Sequence, residues 1–117
     1  MTKPVMKSKD IGNRGEDIAS VFISQQGYKI IDRNWKTRWC EIDIIATKDC
    51  AVYFVEVKYR KNDLYGSGLD YITAKKLGQM NFAAQFWLSQ NNWTQQSSLA
   101  VISINGNSGE IEFIDEL

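Results

Sequence analysis

Residues 40–60 read CEIDIIATKDCAVYFVEVKYR, two runs rich in β-branched and aromatic residues on either side of the polar Lys48-Asp49-Cys50. Runs of this length and composition, parted by a turn, are expected to form two strands, Cys40 to Thr47 and Ala51 to Tyr59. Burial alone would fill such strands with apolar residues, yet Glu41 and Asp43 interrupt the first, and Glu56 and Lys58 the second. Those charges need a reason. Side chains alternate along a strand, so Glu56 and Lys58 share a face with Val52 and Phe54. A two-residue turn at Asp49 and Cys50 sets Asp43 opposite Glu56 on that face, with Cβ atoms about 4.5–5.5 Å apart. A shift of one residue sends the two to opposite faces. Both faces are largely hydrophobic, so the apolar pattern leaves the register open.

Facing carboxylates repel, and a divalent cation reverses that cost. Mg2+, or Mn2+ in its place, is the natural ion, because it takes oxygen ligands, one or two carboxylates among them, and fills its shell with water and phosphate oxygens. On this reading Asp43 and Glu56 hold the metal. Lys58 then orients or helps deprotonate the attacking water, or stabilises charge developing on the phosphorane. The competing reading of the same residues is an ordinary Glu56–Lys58 ion pair on a wet sheet face.

Upstream, Tyr28 to Trp35 reads as a further strand, giving a three-stranded meander. Before it, Ile11, Gly15, Ile18, Ala19, Phe22 and Ile23 recur at helical spacing, with Asp10 as the expected N-cap and Gly27 as the stop. Glu16 falls at the edge of that apolar stripe, roughly 20° around the wheel from Ile23, where it can reach the carboxylate site. Downstream, Tyr59 to Leu69 is polar, contains Gly66 and Gly68, and is expected to be a mobile loop that touches substrate through Arg60 and Lys61. Thr73 caps a second helix that carries Leu77, Met80, Ala84, Trp87 and Leu88 on one face to about Asn91. Leu99 to Ile104 reads as an interior strand and Glu110 to Ile114 as an edge strand after a turn. The order is αβββαββ, an α/β or α+β arrangement of helices on a mixed sheet. Residues 1–10 are expected to be a flexible arm and residues 11–117 one domain.

The chain of 117 residues contains no histidine, which removes Ser-His-Asp triads, Cys-His dyads and HExxH zinc sites. Any catalysis rests on carboxylates, lysines and metals. Cys40 and Cys50 are too few for a structural zinc site and are expected to be buried small hydrophobes rather than a disulfide. No window approaches the roughly 18 apolar residues of a membrane span, and no apolar stretch follows the N-terminal lysines, so a cytoplasmic location is expected. Formal net charge is zero, but four acids lie in the last eight residues, leaving 14 Lys and Arg against 10 Asp and Glu over positions 1–109. Lys29, Arg33, Lys36, Arg38, Lys58, Arg60 and Lys61 are interleaved with Trp35, Trp39 and Tyr59, a mixture that suits phosphates and exposed bases. The bland alternative is a solvated face on which aromatic side chains snorkel.

Asp43, Glu56 and Lys58, on two strands that follow a helix offering Glu16, resemble the PD-(D/E)xK restriction-endonuclease-like nucleases, and most closely the layout of archaeal Holliday-junction resolvases. More specifically, Gly15-Glu16, Gly27-Tyr28, Arg33-Asn34, Glu41-Ile42-Asp43-Ile44-Ile45, Phe54-Val55-Glu56-Val57-Lys58-Tyr59-Arg60, Leu64-Tyr65-Gly66 and Lys76 ahead of Ala83-Ala84 resemble the YraN-like family of small bacterial endonuclease-like proteins. The likeness runs over about residues 11 to 115. It implies a nuclease fold, a catalytic set of Glu16, Asp43, Glu56 and Lys58, Mg2+ or Mn2+ as cofactor, DNA as partner, and a homodimer. Arg33, Lys36, Arg38, Arg60, Lys61 and Lys76 become the expected nucleic-acid contacts. Two places depart from the family pattern: Cys40 stands where a glycine is usual, and Ser98-Leu99-Ala100 where Arg-Phe-Asp is usual.

Three functions therefore compete. The first is a metal-dependent nuclease acting on DNA, branched or single-stranded, since no groove-reading helix is evident. The second is a nucleic-acid-binding module that keeps the fold without cutting, and the third an adaptor whose carboxylates are merely solvated.

Overall fold

The computed structural model describes the backbone of residues 8–61 and 68–117 and the side chains of residues 14–61 and 70–117. Helix α1 (Ser8–Gln25) leads into strands β1 (Lys29–Lys36), β2 (Glu41–Lys48) and β3 (Ala51–Arg60). A short 3-10 turn (Gly68–Tyr71), helix α2 (Ala74–Gln90) and strands β4 (Ser97–Asn105) and β5 (Ile111–Ile114) follow. The strands form one mixed sheet in the order β1-β2-β3-β4-β5, antiparallel except for the parallel β3–β4 pair. This is the expected αβββαββ order. A parallel pair needs a long crossover, and α2 supplies it.

The two helices cover opposite faces. Ala19 and Ile23 of α1 are fully buried against Ile44, Ala46, Val55, Ala100, Ile102 and Ile104. Ala83, Ala84 and Trp87 of α2 pack on Ile42, Ile45, Val52 and Phe54. Leu77, expected on the buried face of α2, is instead 39% exposed, and Ala83 takes part in its place. Thr73 caps α2 as expected, its Oγ1 accepting the Lys76 N–H at 3.1 Å. Gly27 closes α1 at φ +93°: the Tyr28 N–H reaches the Ile23 carbonyl and its own N–H the Ser24 carbonyl, both at 3.1 Å. Helix α1 begins at Ser8, so Asp10, the expected cap, stands inside its first turn; residues 1–7 of the expected arm lie outside the described residues. Of the segment expected to be a loop, Tyr59 and Arg60 belong to β3, Gly68 and Leu69 to the 3-10 turn, and residues 62–67 lie outside the described residues.

The β2–β3 hairpin turns on Asp49 and Cys50, both left-handed at φ +50° and +66°, the signature of a type I′ turn. Pairing runs from Lys48↔Ala51 to Ile44↔Val55, the register that brings Asp43 level with Glu56. Burial of both thiols, expected from composition, does not hold: Cys50 is exposed at this tip and Cys40 is half-buried, both as free thiols. A two-residue turn projects its side chains outward, which overrides the preference of a thiol for the core. No helix among the described residues is long and apolar enough to cross a membrane.

Two glycines make room for Tyr59, one on α1 and one in the β4–β5 turn. A Cβ at Gly15 would meet the Tyr59 Cβ at 3.1 Å, and one at Gly106 would meet the Tyr59 hydroxyl at 2.6 Å. Tyr59 of β3 is thus received between α1 and the β4–β5 turn. The close approach at Gly15 brings the next residue, Glu16, to the edge of the sheet.

Candidate carboxylate site

Regular alternation would keep Arg33 and Trp35 on one face of β1. Instead, Arg33 reaches Glu16 and Asp17 of α1, while Trp35 packs into the α2 layer and meets the Phe86 ring at 6.1 Å. Between them Asn34 adopts φ +53°, a left-handed conformation that asparagine tolerates. The pairs Arg33↔Ile44 and Trp35↔Ile42 place Asp43 across from Asn34, and β2 changes sides there too, with Ile44 in the α1 layer and Ile42 in the α2 layer. Both strands turn over at one point, and Asp43 sits on it.

At this crossover the Asp43 Oδ2 accepts the Val57 N–H at 2.8 Å. The β2–β3 ladder stops at Ile44↔Val55. In an antiparallel hairpin closed by Lys48 and Ala51, every second pair exchanges both backbone bonds, so a continuing ladder would send the Val57 N–H to the Ile42 carbonyl. The Asp43 side chain takes that partner instead. Burial, then the charge of Glu56, pushes the Asp43 carboxyl up to about 7; the Val57 N–H pulls the other way, and Glu16 and Glu41 add smaller upward pushes.

Glu56 is engaged from the far side by two groups. Lys76 of α2 holds its Oε1 at 2.8 Å, and the Tyr71 hydroxyl donates to the same oxygen at 3.2 Å. Both residues of the ion pair are half-buried. Lys58, two residues along β3, lays its Nζ 4.5 Å from the Tyr71 ring centroid, and the Lys76 Nζ lies 5.6 Å from the same ring. Burial would lower the Lys76 ammonium, but Glu56 and Tyr71 outweigh it and the net shift is upward; burial and then Glu56 raise the Tyr71 hydroxyl. Sequence reasoning missed Tyr71, whose only signal is its place two residues before the Thr73 cap.

Glu16 faces the same region from α1. Its Oε2 is buried, lies 3.7 Å from an Arg33 terminal nitrogen, too far for a hydrogen bond, and has no hydrogen-bond partner among the described residues. The expected nucleic-acid contacts divide. Arg33 turns to Glu16 and Asp17, and Lys76 turns to Glu56. Arg60 donates from Nε to the Ser103 hydroxyl at 3.0 Å. Lys36 makes a loose exposed pair with Glu41 at 3.8 Å, Arg38 lies 5.9 Å from the Trp39 ring centroid, and Lys61 is exposed.

Among the described residues no three acidic or thiol side chains come together as a ready-made metal cage. A two-carboxylate site is another matter. Asp43 and Glu56 offer hard oxygen donors, their mutual repulsion raises one of them, and Glu16 adds a buried oxygen without a hydrogen bond nearby. That donor set suits an ion that takes one or two carboxylates and completes its shell with water. The Glu56 side chain also opens onto a cleft of about 510 Å3, walled by Trp39, Cys40, Glu41, Lys75, Lys76 and Phe82.

A match to the model described as "Uncharacterised protein family UPF0102" spans residues 15–104, from the glycine that admits Tyr59 to the end of β4. A UPF0102 protein of Vibrio parahaemolyticus is 37% identical over 112 residues, covering 94% of this chain and 93% of the relative. One from Cytophaga hutchinsonii is 36% identical over 104 residues, covering 89% and 92%, and one from Neisseria gonorrhoeae 37% over 97 residues, covering 82% and 84%. The matched span holds Glu16, Asp43, Glu56, Lys58, Tyr71 and Lys76 together, and the chain belongs to the UPF0102 family.

Proposed function

We propose that the protein is a metal-dependent nuclease that hydrolyses DNA phosphodiester bonds. One observation carries this reading: Asp43 and Glu56 converge where β2 parts from β3, and burial together with the Glu56 charge lifts the Asp43 carboxyl to about 7, a conflict that a divalent cation relieves. The order Asp43, then Glu56-Val57-Lys58 on the next strand, is that of the PD-(D/E)xK nucleases it resembles. Asp43 and Glu56 would hold Mg2+ or Mn2+. When bound, such an ion supplies Lewis-acid stabilisation at a phosphoryl oxygen and lowers the pKa of water.

The chain's own groups do the remainder. Lys58, held against Tyr71 on the strand of Glu56, is placed to orient water or to neutralise charge developing on the phosphate. Glu16 contributes a carboxylate oxygen that faces Arg33 at 3.7 Å without a hydrogen bond and that can accept a proton or orient water. Tyr71 and Lys76 fix the Glu56 carboxylate.

A second reading, a nucleic-acid-binding module that does not cut, draws on the Lys76 ammonium, which already neutralises Glu56 at 2.8 Å. Titration of Mg2+ or Mn2+ against linear, flapped and four-way DNA separates the two. Metal-dependent cleavage by the wild type and none by Glu56→Ala supports the nuclease. DNA binding without cleavage at any metal concentration supports the module.

A further inference from the structure

We propose that the exposed rings of Trp39 and Phe82 form a stacking shelf for the unpaired bases of a single-stranded nucleic acid at the mouth of the Glu56 cleft. The inference rests on the nucleic-acid reading above and names the strand state that the cleft accepts. Trp39 is 67% exposed and Phe82 53% exposed, yet they come from separate elements, the β1–β2 turn and α2, and line one cleft. Each leans on Phe86, with ring centroids 6.0 and 6.3 Å apart, and Trp35 backs Phe86 from beneath.

The Trp39 ring is presented by a built turn. Thr37 Oγ1 accepts the N–H groups of Trp39 and Cys40, each at 3.1 Å, and the Thr37 N–H reaches the Cys40 carbonyl at 2.8 Å. A single exposed aromatic is ordinary, but here two converge on one cleft. Its wall carries Glu41 and Glu56 beside Lys75 and Lys76, and Lys76 is taken up by Glu56, so the cations at the rings are Lys75 and Arg38, the latter 5.9 Å from the Trp39 ring centroid. Ring faces with cations at their rim match what holds single strands. Base faces are closed within a duplex stack, so the shelf selects unpaired bases.

The test is fluorescence anisotropy of a short labelled oligothymidylate with the full chain in a chelator, so that binding is read without cleavage. Trp39→Ala and Phe82→Ala are each expected to bind about tenfold more weakly, Trp39→Phe to bind nearly as the wild type, and duplex affinity to stay unmoved. Wild-type binding of the oligonucleotide, with no Mg2+-dependent cleavage of it or of linear, flapped and four-way DNA, would leave the shelf standing and sink the nuclease reading. Failure of the wild type to bind the oligonucleotide would overturn the shelf. So would unchanged affinity in both alanine variants, or their conversion of a dimer to monomers.

Discussion

The Asp43 carboxylate accepts the Val57 N–H at 2.8 Å and so occupies the ladder position that belongs to the Ile42 carbonyl. The bond anchors one acid of the site to the backbone between the other acid, Glu56, and Lys58. It also explains how the sheet survives the side-switch at Asn34 and Asp43. An N–H that the departing strand would orphan keeps a partner, where an unsatisfied buried donor would cost about 1–3 kcal/mol.

The raised Asp43 carboxyl predicts an inverted pH dependence of stability. With a native value of about 7 against an ordinary 3.8, the folded chain holds a proton that the unfolded chain releases. The contribution is therefore complete at low pH and is lost as pH rises through about 7, amounting to a few kcal/mol at about 1.4 kcal/mol per pH unit. Asp43→Asn keeps an acceptor for Val57 and removes the charge. Its Tm is expected to exceed that of the wild type at pH 8 and to match it near pH 4; parallel profiles would contradict the assignment.

One substitution at two glycines is expected to act with opposite signs. In Gly15→Ala the new Cβ meets the Tyr59 Cβ at 3.1 Å, an atom fixed to the β3 backbone that cannot swing aside, so the variant should lose about 1–3 kcal/mol. At Gly78, in α2, nothing lies within 4 Å, and alanine should add about 1 kcal/mol through helix propensity. Chemical denaturation of both variants measures the difference.

Cys50 occupies the second left-handed position of the type I′ turn, where a side chain is strained. Cys50→Gly is expected to stabilise the hairpin by about 1 kcal/mol and to leave metal binding unchanged. A lower denaturation midpoint would contradict the turn assignment.

Lys76 competes with any divalent ion for Glu56. Lys76→Met should lower the metal-free Tm, because Glu56 loses its partner in a half-buried pair, and should enlarge the Tm rise that Mg2+ produces. A Mg2+ response equal to that of the wild type would place the ion elsewhere.

Much of this arrangement was legible in residues 40–60. Asp49-Cys50 offered a two-residue turn and with it one of two registers; the strands, apolar on both faces, could not choose between them, and it is the observed pairing from Lys48↔Ala51 to Ile44↔Val55 that brings Asp43 level with Glu56. Period-2 reasoning could not show that β1 and β2 change sides at Asn34 and Asp43, because a single left-handed residue resets the alternation and leaves no mark in the apolar pattern. The inward turns of Arg33 and Lys76 were hidden for a related reason: a basic residue reads as surface until its carboxylate partner from another element is known. Cys50 went against expectation because the turn geometry, not hydrophobicity, decides what sits at a hairpin tip.

The nuclease proposal stands on Asp43 and Glu56 taking a divalent cation together. Isothermal titration of Mn2+ into the wild type and Asp43→Asn at pH 7, repeated in buffers of different ionisation enthalpy, tests it most directly. Saturable binding to the wild type with release of protons is expected, since burial and Glu56 hold the Asp43 carboxyl well above the usual carboxylate range, against weak binding without proton release in Asp43→Asn. Equal binding by both proteins, or binding with no buffer dependence, would contradict it.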